Sequence, residues 1–186
     1  MKDNLLTIAF LRAINVGGHV VKMDHLRGLF ETFGMQNVVT FLASGNVIFN
    51  APQGSTENLD FVIENGLKED LGFRVATFLR TPEEMKIIVE YQAFAPALMD
   101  EAAAYNIGFL KEEPDEDAKI KLMGLETEID RLHVKGREVY WSCQLKQSQS
   151  SLSNAAFEKA LGMECTLRGI NTVRKMDALI PKCGTD

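Results

Sequence analysis

An α+β chain of two ferredoxin-like βαββαβ halves, each followed by an extra helix, is the fold this sequence predicts. Three observations carry the prediction. The apolar pattern runs strand, helix, strand, strand, helix, strand, helix, and then repeats that order. Short echoes fall at matched places: Phe10-Leu11-Arg12 with Phe109-Leu110-Lys111, Leu71-Gly72 with Leu161-Gly162, and Leu79-Arg80 with Leu167-Arg168. The composition of the 186 residues, 46% hydrophobic and 25% charged, is that of a globular protein. A chain of this size buries roughly 70% of its unfolded surface, enough for a core without disulfide staples.

In the first half, residues 5–11 are apolar with β-branched content and read as a strand. Gly17 and Gly18 mark a loop. Met23, Leu26, Leu29, Phe30 and Phe33 recur at helical spacing, and Gly34 ends that helix. Strands at 38–42 and 47–49 flank Ser44-Gly45-Asn46, a hairpin turn. Leu59, Ile63, Leu67 and Leu71 mark a second helix stopped by Gly72, and 73–79 is a fourth strand. Thr81-Pro82-Glu83-Glu84 is a capping box with proline at the first helical position. The second half repeats the series: a strand at 107–110, a helix at 114–125, strands at 129–134 and 139–143 about Lys135-Gly136, a polar loop at 146–151, a helix capped by Ser153, a strand at 165–168 and a helix at 172–180. The expected domains are therefore 1–92 and 105–186, with 93–104 as connector.

Bulk charge bounds the function. Twenty basic against 26 acidic residues give a net charge of −6, which disfavours non-specific nucleic-acid binding. Residues 168–182 nevertheless hold four basic residues against Asp177 alone. Three sparse cysteines, Cys143, Cys165 and Cys183, suit a reducing compartment, and no apolar run is long enough for a membrane span, so the expected location is cytoplasmic. His19, His25 and His133 lack metal-ligand spacing and read as surface imidazoles, so no metal site is expected. No nucleophile motif is present. Cys143 shares the strand parity of Val139 and Trp141 and reads as core, as does at least one of Tyr140 and Trp141. The run Val139-Tyr140-Trp141-Ser142 lacks the glycine-aromatic frame of RNA-recognition sheets.

One longer echo carries chemistry. Leu11-Arg12-Ala13-Ile14-Asn15 resembles Leu167-Arg168-Gly169-Ile170-Asn171, and residues 20–26 resemble 173–179. Each copy brings an arginine and an asparagine to a strand end, then starts a helix near Lys22 or Lys175. Guanidinium forks match carboxylate or phosphate, and Gly17, Gly18 and a helix N-terminus bring backbone N–H groups close to an anion. The predicted ligand set is Arg12, Asn15, Gly17, Gly18, Lys22, Arg168, Asn171, Thr172 and Lys175. Ser44 and Asn46 are weaker members, because their hairpin is expected at the sheet end away from Arg12. Structural ion pairs of Arg12 and Arg168 with Asp24 and Asp177 explain the same residues equally well.

Leu11-Arg12-Ala13-Ile14-Asn15-Val16-Gly17-Gly18, Lys22-Met23, Leu26, Ser44-Gly45-Asn46-Val47 and the block 166–172 together resemble the bacterial family called domain of unknown function 1697. Ala13 stands where that family usually has glycine, and Gly169-Ile170 where it has asparagine and tryptophan. The resemblance implies an α+β, ferredoxin-related fold and no activity. The function expected is binding of a phosphate-bearing or other anionic small molecule, with cofactor and catalysis unassigned. The alternatives are a non-catalytic interaction module that forms a homodimer, and nucleic-acid binding through the basic C-terminal segment.

Overall fold

A computed structural model describes residues 5–52 and 58–180; Lys182 and Cys183 lie outside them. The elements are β1 (Leu5–Leu11), α1 (Met23–Thr32), β2 (Gln36–Phe41), β3 (Asn46–Ala51), α2 (Leu59–Leu71), β4 (Thr77–Arg80), α3 (Pro82–Glu90), α4 (Pro96–Asp100), β5 (Ala104–Leu110), α5 (Glu116–Met123), β6 (Asp130–Lys135), β7 (Glu138–Cys143), α6 (Asn154–Leu161), β8 (Cys165–Gly169) and α7 (Ile170–Asp177). They build two antiparallel sheets, ordered β2-β3-β1-β4 and β6-β7-β5-β8. The register matches as well: Ile8 lies across from Ile48 and Arg80, and Ile107 across from Tyr140 and Arg168. The fold is α+β with two similar halves, as the repeated element order predicts.

The chain divides into two compact units, Met1–Lys86 with Met176–Asp186, and Ile87–Lys175. In the first unit, Ala9, Leu11, Val47 and Phe49 face Leu26, Phe30, Ile63 and Leu67 from the two helices. In the second, Leu110, Val139, Trp141 and Cys143 face Leu122, Phe157 and Leu161. Each valine, leucine, isoleucine or phenylalanine among them contributes roughly 1.5–3 kcal/mol on burial. Tyr140 and Trp141 are both buried, at 1% and 0% exposure.

The capping chemistry holds in detail. Thr81 N–H donates to Glu84 Oε2 at 2.9 Å and Glu84 N–H to Thr81 Oγ1 at 3.2 Å. Ser153 Oγ accepts from Ala156 N–H at 3.2 Å, and Gly72 and Gly162 end α2 and α6 in left-handed conformation. Among the boundaries that differ from expectation, three have a local physical reason. The fourth strand starts at Thr77, where Glu64 Oε1 accepts its N–H at 2.8 Å; residues 73–75 approach the sheet outside the ladder. Glu158 does the same for Cys165 at 3.0 Å in the other half. The last helix starts directly after β8 because Ile170, Val173 and Met176 form a buried stripe, drawing Asn171 into its first turn. The expected connector carries a short helix opened by Pro96.

Asp130 organises the second unit. It is fully buried and accepts from Trp141 Nε1 and Thr127 Oγ1 at 2.8 Å and from Ser150 Oγ at 2.9 Å. Burial alone pushes its carboxyl up, but these donated hydrogen bonds outweigh burial and hold it below the usual carboxylate range. A depressed folded pKa means that its stabilisation is complete above the unfolded value near 3.8 and is lost as pH falls through the folded value. Asp130→Ala, which strands three donors, is expected to lower stability by about 2–4 kcal/mol in urea unfolding at pH 7, with the gap from wild type narrowing below about pH 4.

Candidate functional site

The structure collects the first-half residues at the C-terminal end of β1. β3 runs antiparallel to β1, and Phe10 lies across from Asn46. The turn that feeds β3 therefore sits beside the residues leaving β1. This overturns the expectation that the hairpin lies at the far end: Leu11 N–H donates to Gly45 O at 2.8 Å. Gly45 has φ 76°, and a Cβ there would stand 2.6 Å from Ile14 Cγ2. The position demands glycine for both conformation and closeness.

Asn15 fastens this corner. Its Nδ2 donates to Ala43 O at 2.7 Å and to Val21 O at 3.2 Å, while its Oδ1 accepts Val21 N–H at 2.5 Å. One side chain thus closes the loop 15–21 on itself and ties it to the β2–β3 turn. Arg12 N–H donates to Ala76 O at 2.8 Å, which adds the approach to β4. Ala13 takes φ 57°, a left-handed value that favours glycine. Asn46 is fully buried and donates to Phe41 O at 2.7 Å and Ser44 Oγ at 3.0 Å, so it shapes the turn while Ser44 stays exposed.

From this fastened base a loop projects. Gly17 and Gly18 have φ 69° and 92° with open space where a side chain would be. Val16 and Val20 are 64% and 87% exposed. His19 stacks on Phe73 with centroids 3.8 Å apart. Lys22, exposed, is the N-cap of α1 and makes no side-chain cap bond. Asp24 in the first turn is engaged by Arg27 at 3.3 Å.

The second-half residues lie in the other unit and are built differently. Arg168 is 8% exposed, and its Nη1 donates to Leu167 O at 2.8 Å and Thr166 Oγ1 at 2.9 Å. Burial pushes its guanidinium down to about 10. Its positional counterpart is Arg80, 1% exposed, whose Nη1 donates to Leu79 O at 2.7 Å. The echo with Arg12 is one of local sequence; by sheet register Arg12 corresponds to Lys111. Asn171, Thr172 and Lys175 all belong to α7, with Asn171 and Lys175 exposed.

His133, expected as a surface imidazole, is placed otherwise by the structure. Its ring is half-buried, accepts or donates at Tyr91 Oη over 2.8 Å, and lies among Tyr91, Phe94 and Tyr140. Alternation along β6 was the available signal: His133 shares no parity with the helix-facing Leu132. Burial, then Lys135, lowers its pKa, and Tyr105 nearby is pushed up to about 12, mainly by burial. Among the described residues no three His, Cys, Asp or Glu side chains group to hold a metal ion.

The family model described as Protein of unknown function (DUF1697) matches residues 6–140. The conserved bacterial protein SP0830 from Streptococcus pneumoniae is similar in structure, with a TM-score of 0.76 and 22% identity over 96% of this chain and 99% of that one. No curated protein matches the sequence.

Two measurements check the geometry. Asn15→Ala strands Val21 N–H and two carbonyls, and is expected to cost about 1–3 kcal/mol in chemical denaturation with faster amide exchange at Val21. His133 is expected to titrate by NMR with a midpoint below 6.5, remaining neutral at pH values where a free imidazole is already charged.

Proposed function

The chain belongs to the DUF1697 family, and on that footing we propose that its first unit binds a phosphate-bearing or otherwise anionic small molecule at the end of β1. One observation supports this above the others: a single asparagine closes the 15–21 loop and fixes it to the β2–β3 turn, holding a glycine loop and an uncapped helix start in place. Backbone N–H groups at Gly17 and Gly18 and at the start of α1 suit a phosphate, and the helix dipole favours its charge. Arg12 and Lys22 supply positive charge and Ser44 a hydroxyl. Val16 and Val20, both exposed, suit an apolar portion of the same ligand. In this reading Asn15 and Asn46 position the site, a change of role from orienting the ligand directly.

Arg168, Asn171, Thr172 and Lys175 enter as a second set in the other unit. The burial of Arg168 favours a structural part for it, whereas exposed Asn171 and Lys175 keep the chemistry to meet an anion. The reading assigns binding and no reaction. We place it in the cytoplasm, since Cys143 and Cys165 are free thiols. Among the described residues no helix is long and apolar enough to cross a membrane.

Thermal-shift titration with inorganic phosphate, nucleoside phosphates and sugar phosphates tests the reading. A ligand at about 100 times its Kd stabilises by about 2.7 kcal/mol, a readable rise in Tm. Arg12→Ala combined with Lys22→Ala is expected to remove that rise. Arg168→Ala is expected to lower the ligand-free Tm and to keep the rise. If no anion raises Tm, or if the double variant responds as wild type does, the reading is wrong.

A further inference from the structure

The helical face of the first unit carries a feature that anion binding does not use. Between α1 and α2 runs an open groove of about 620 Å³, walled by Leu29, Phe33, Phe61 and Val62, with Glu69 and Asp70 on its rim. Phe61 and Val62 are 62% and 46% exposed on consecutive positions of α2. Helix surfaces facing only water carry polar residues there, so an outward phenylalanine and valine beside a groove mark a contact surface. Gly66 keeps the groove open: a Cβ there would stand 2.3 Å from the Phe33 ring, which lies directly over the glycine.

The rim says what kind of partner fits. α1 and α2 hold six acids, Asp24, Glu31, Asp60, Glu64, Glu69 and Asp70, against Arg27 and Lys68. Arg27 is spent on Asp24 and Glu31, at 3.3 and 3.9 Å. Glu64 turns inward to Arg74 and the Thr77 N–H. Glu69 and Asp70 sit in the last turn of α2, where the helix dipole already presents its negative end. Carboxylates there oppose helix stability, and they add to a negative field at the groove rim. His25 Nε2 touches Asp70 at 3.0 Å from α1.

We propose that this groove receives a basic amphipathic helix of another protein, apolar residues seated on Phe61, Val62 and Phe33 and lysines or arginines facing Glu69 and Asp70. This is helix-in-groove recognition, with apolar anchors at i, i+3, i+4 and i+7. α2 is 13 residues long, so the face accommodates roughly three to four turns of a partner. A second copy of this chain is the poorer occupant: it brings the same acidic face, and symmetric pairing sets like charges opposite one another.

The probe is a synthetic helical peptide of about four turns with leucines at the anchor spacing and lysines elsewhere, compared with the same peptide carrying glutamates. Fluorescence anisotropy with the full chain is expected to show saturable binding of the lysine peptide alone. Phe61→Ser, and separately Glu69→Lys with Asp70→Lys, are expected to weaken it by roughly tenfold or more. Gly66→Ala, which pushes the Phe33 ring into the groove, is expected to weaken it too. Ile120→Ser, at an exposed apolar residue of the second unit, is expected to leave it unchanged. Amide shifts are expected along α1 and α2. The proposal is overturned by absence of binding, by equal binding of the glutamate peptide, by a Phe61→Ser variant that binds as wild type does, or by Phe61-dependent self-association in sedimentation.

Discussion

One inner strand of each sheet, β1 or β5, is buried over its last five residues, and most of the architecture follows from that. Thr7–Leu11 and Asn106–Leu110 are each five consecutive buried residues, so both faces of β1 and β5 are taken up by packing. Polar groups in such strands need partners or small size. Exposed chemistry is displaced to strand ends and to the outward helix surfaces. The loop beyond β1 and the groove over α2 both lie where that displacement leaves them.

The two halves share strand order and register yet differ in how the first strand reaches the first helix. Residues 12–22 make that connection in the first half, and residues 111–115 in the second. The longer one contains the left-handed Ala13, Gly17 and Gly18, whereas the shorter passes from Leu110 to the Asp115 cap. Asp115 Oδ1 accepts Ala118 N–H at 2.7 Å and so satisfies the start of α5, a service Lys22 does not perform for α1. The second half therefore engages one donor of its helix start with a side-chain cap, and the first half does not.

Periodicity and capping residues made the element order legible in the sequence, because both are local. Thr81 with Glu84, Ser153, Gly72 and Gly162 announced helix ends that the coordinates reproduce. The short echoes pair Leu79-Arg80 with Leu167-Arg168, and the register agrees, Arg80 and Arg168 lying across from Ile8 and Ile107; the longer echo of Arg12 with Arg168 joins similar neighbours at non-equivalent strands. Strand direction alone places Ser44-Gly45-Asn46: a hairpin entering an antiparallel neighbour of β1 opens beside the end of β1, against the expectation of the far end. The triple engagement of Asn15 had no local signal, since Ala43 arrives from 28 residues away.

The division of the chain has a consequence for biosynthesis. The first unit takes Met1–Lys86 and also Met176–Asp186, so its last portion leaves the ribosome after the whole of the second unit has been made. Domains tend to fold as units during synthesis, the earlier ones first. Here the earlier unit has its sheet early but is completed last. A contiguous second unit, Ile87–Lys175, can finish while the first still waits for the segment that begins at Met176, so the unit begun first is the one completed later.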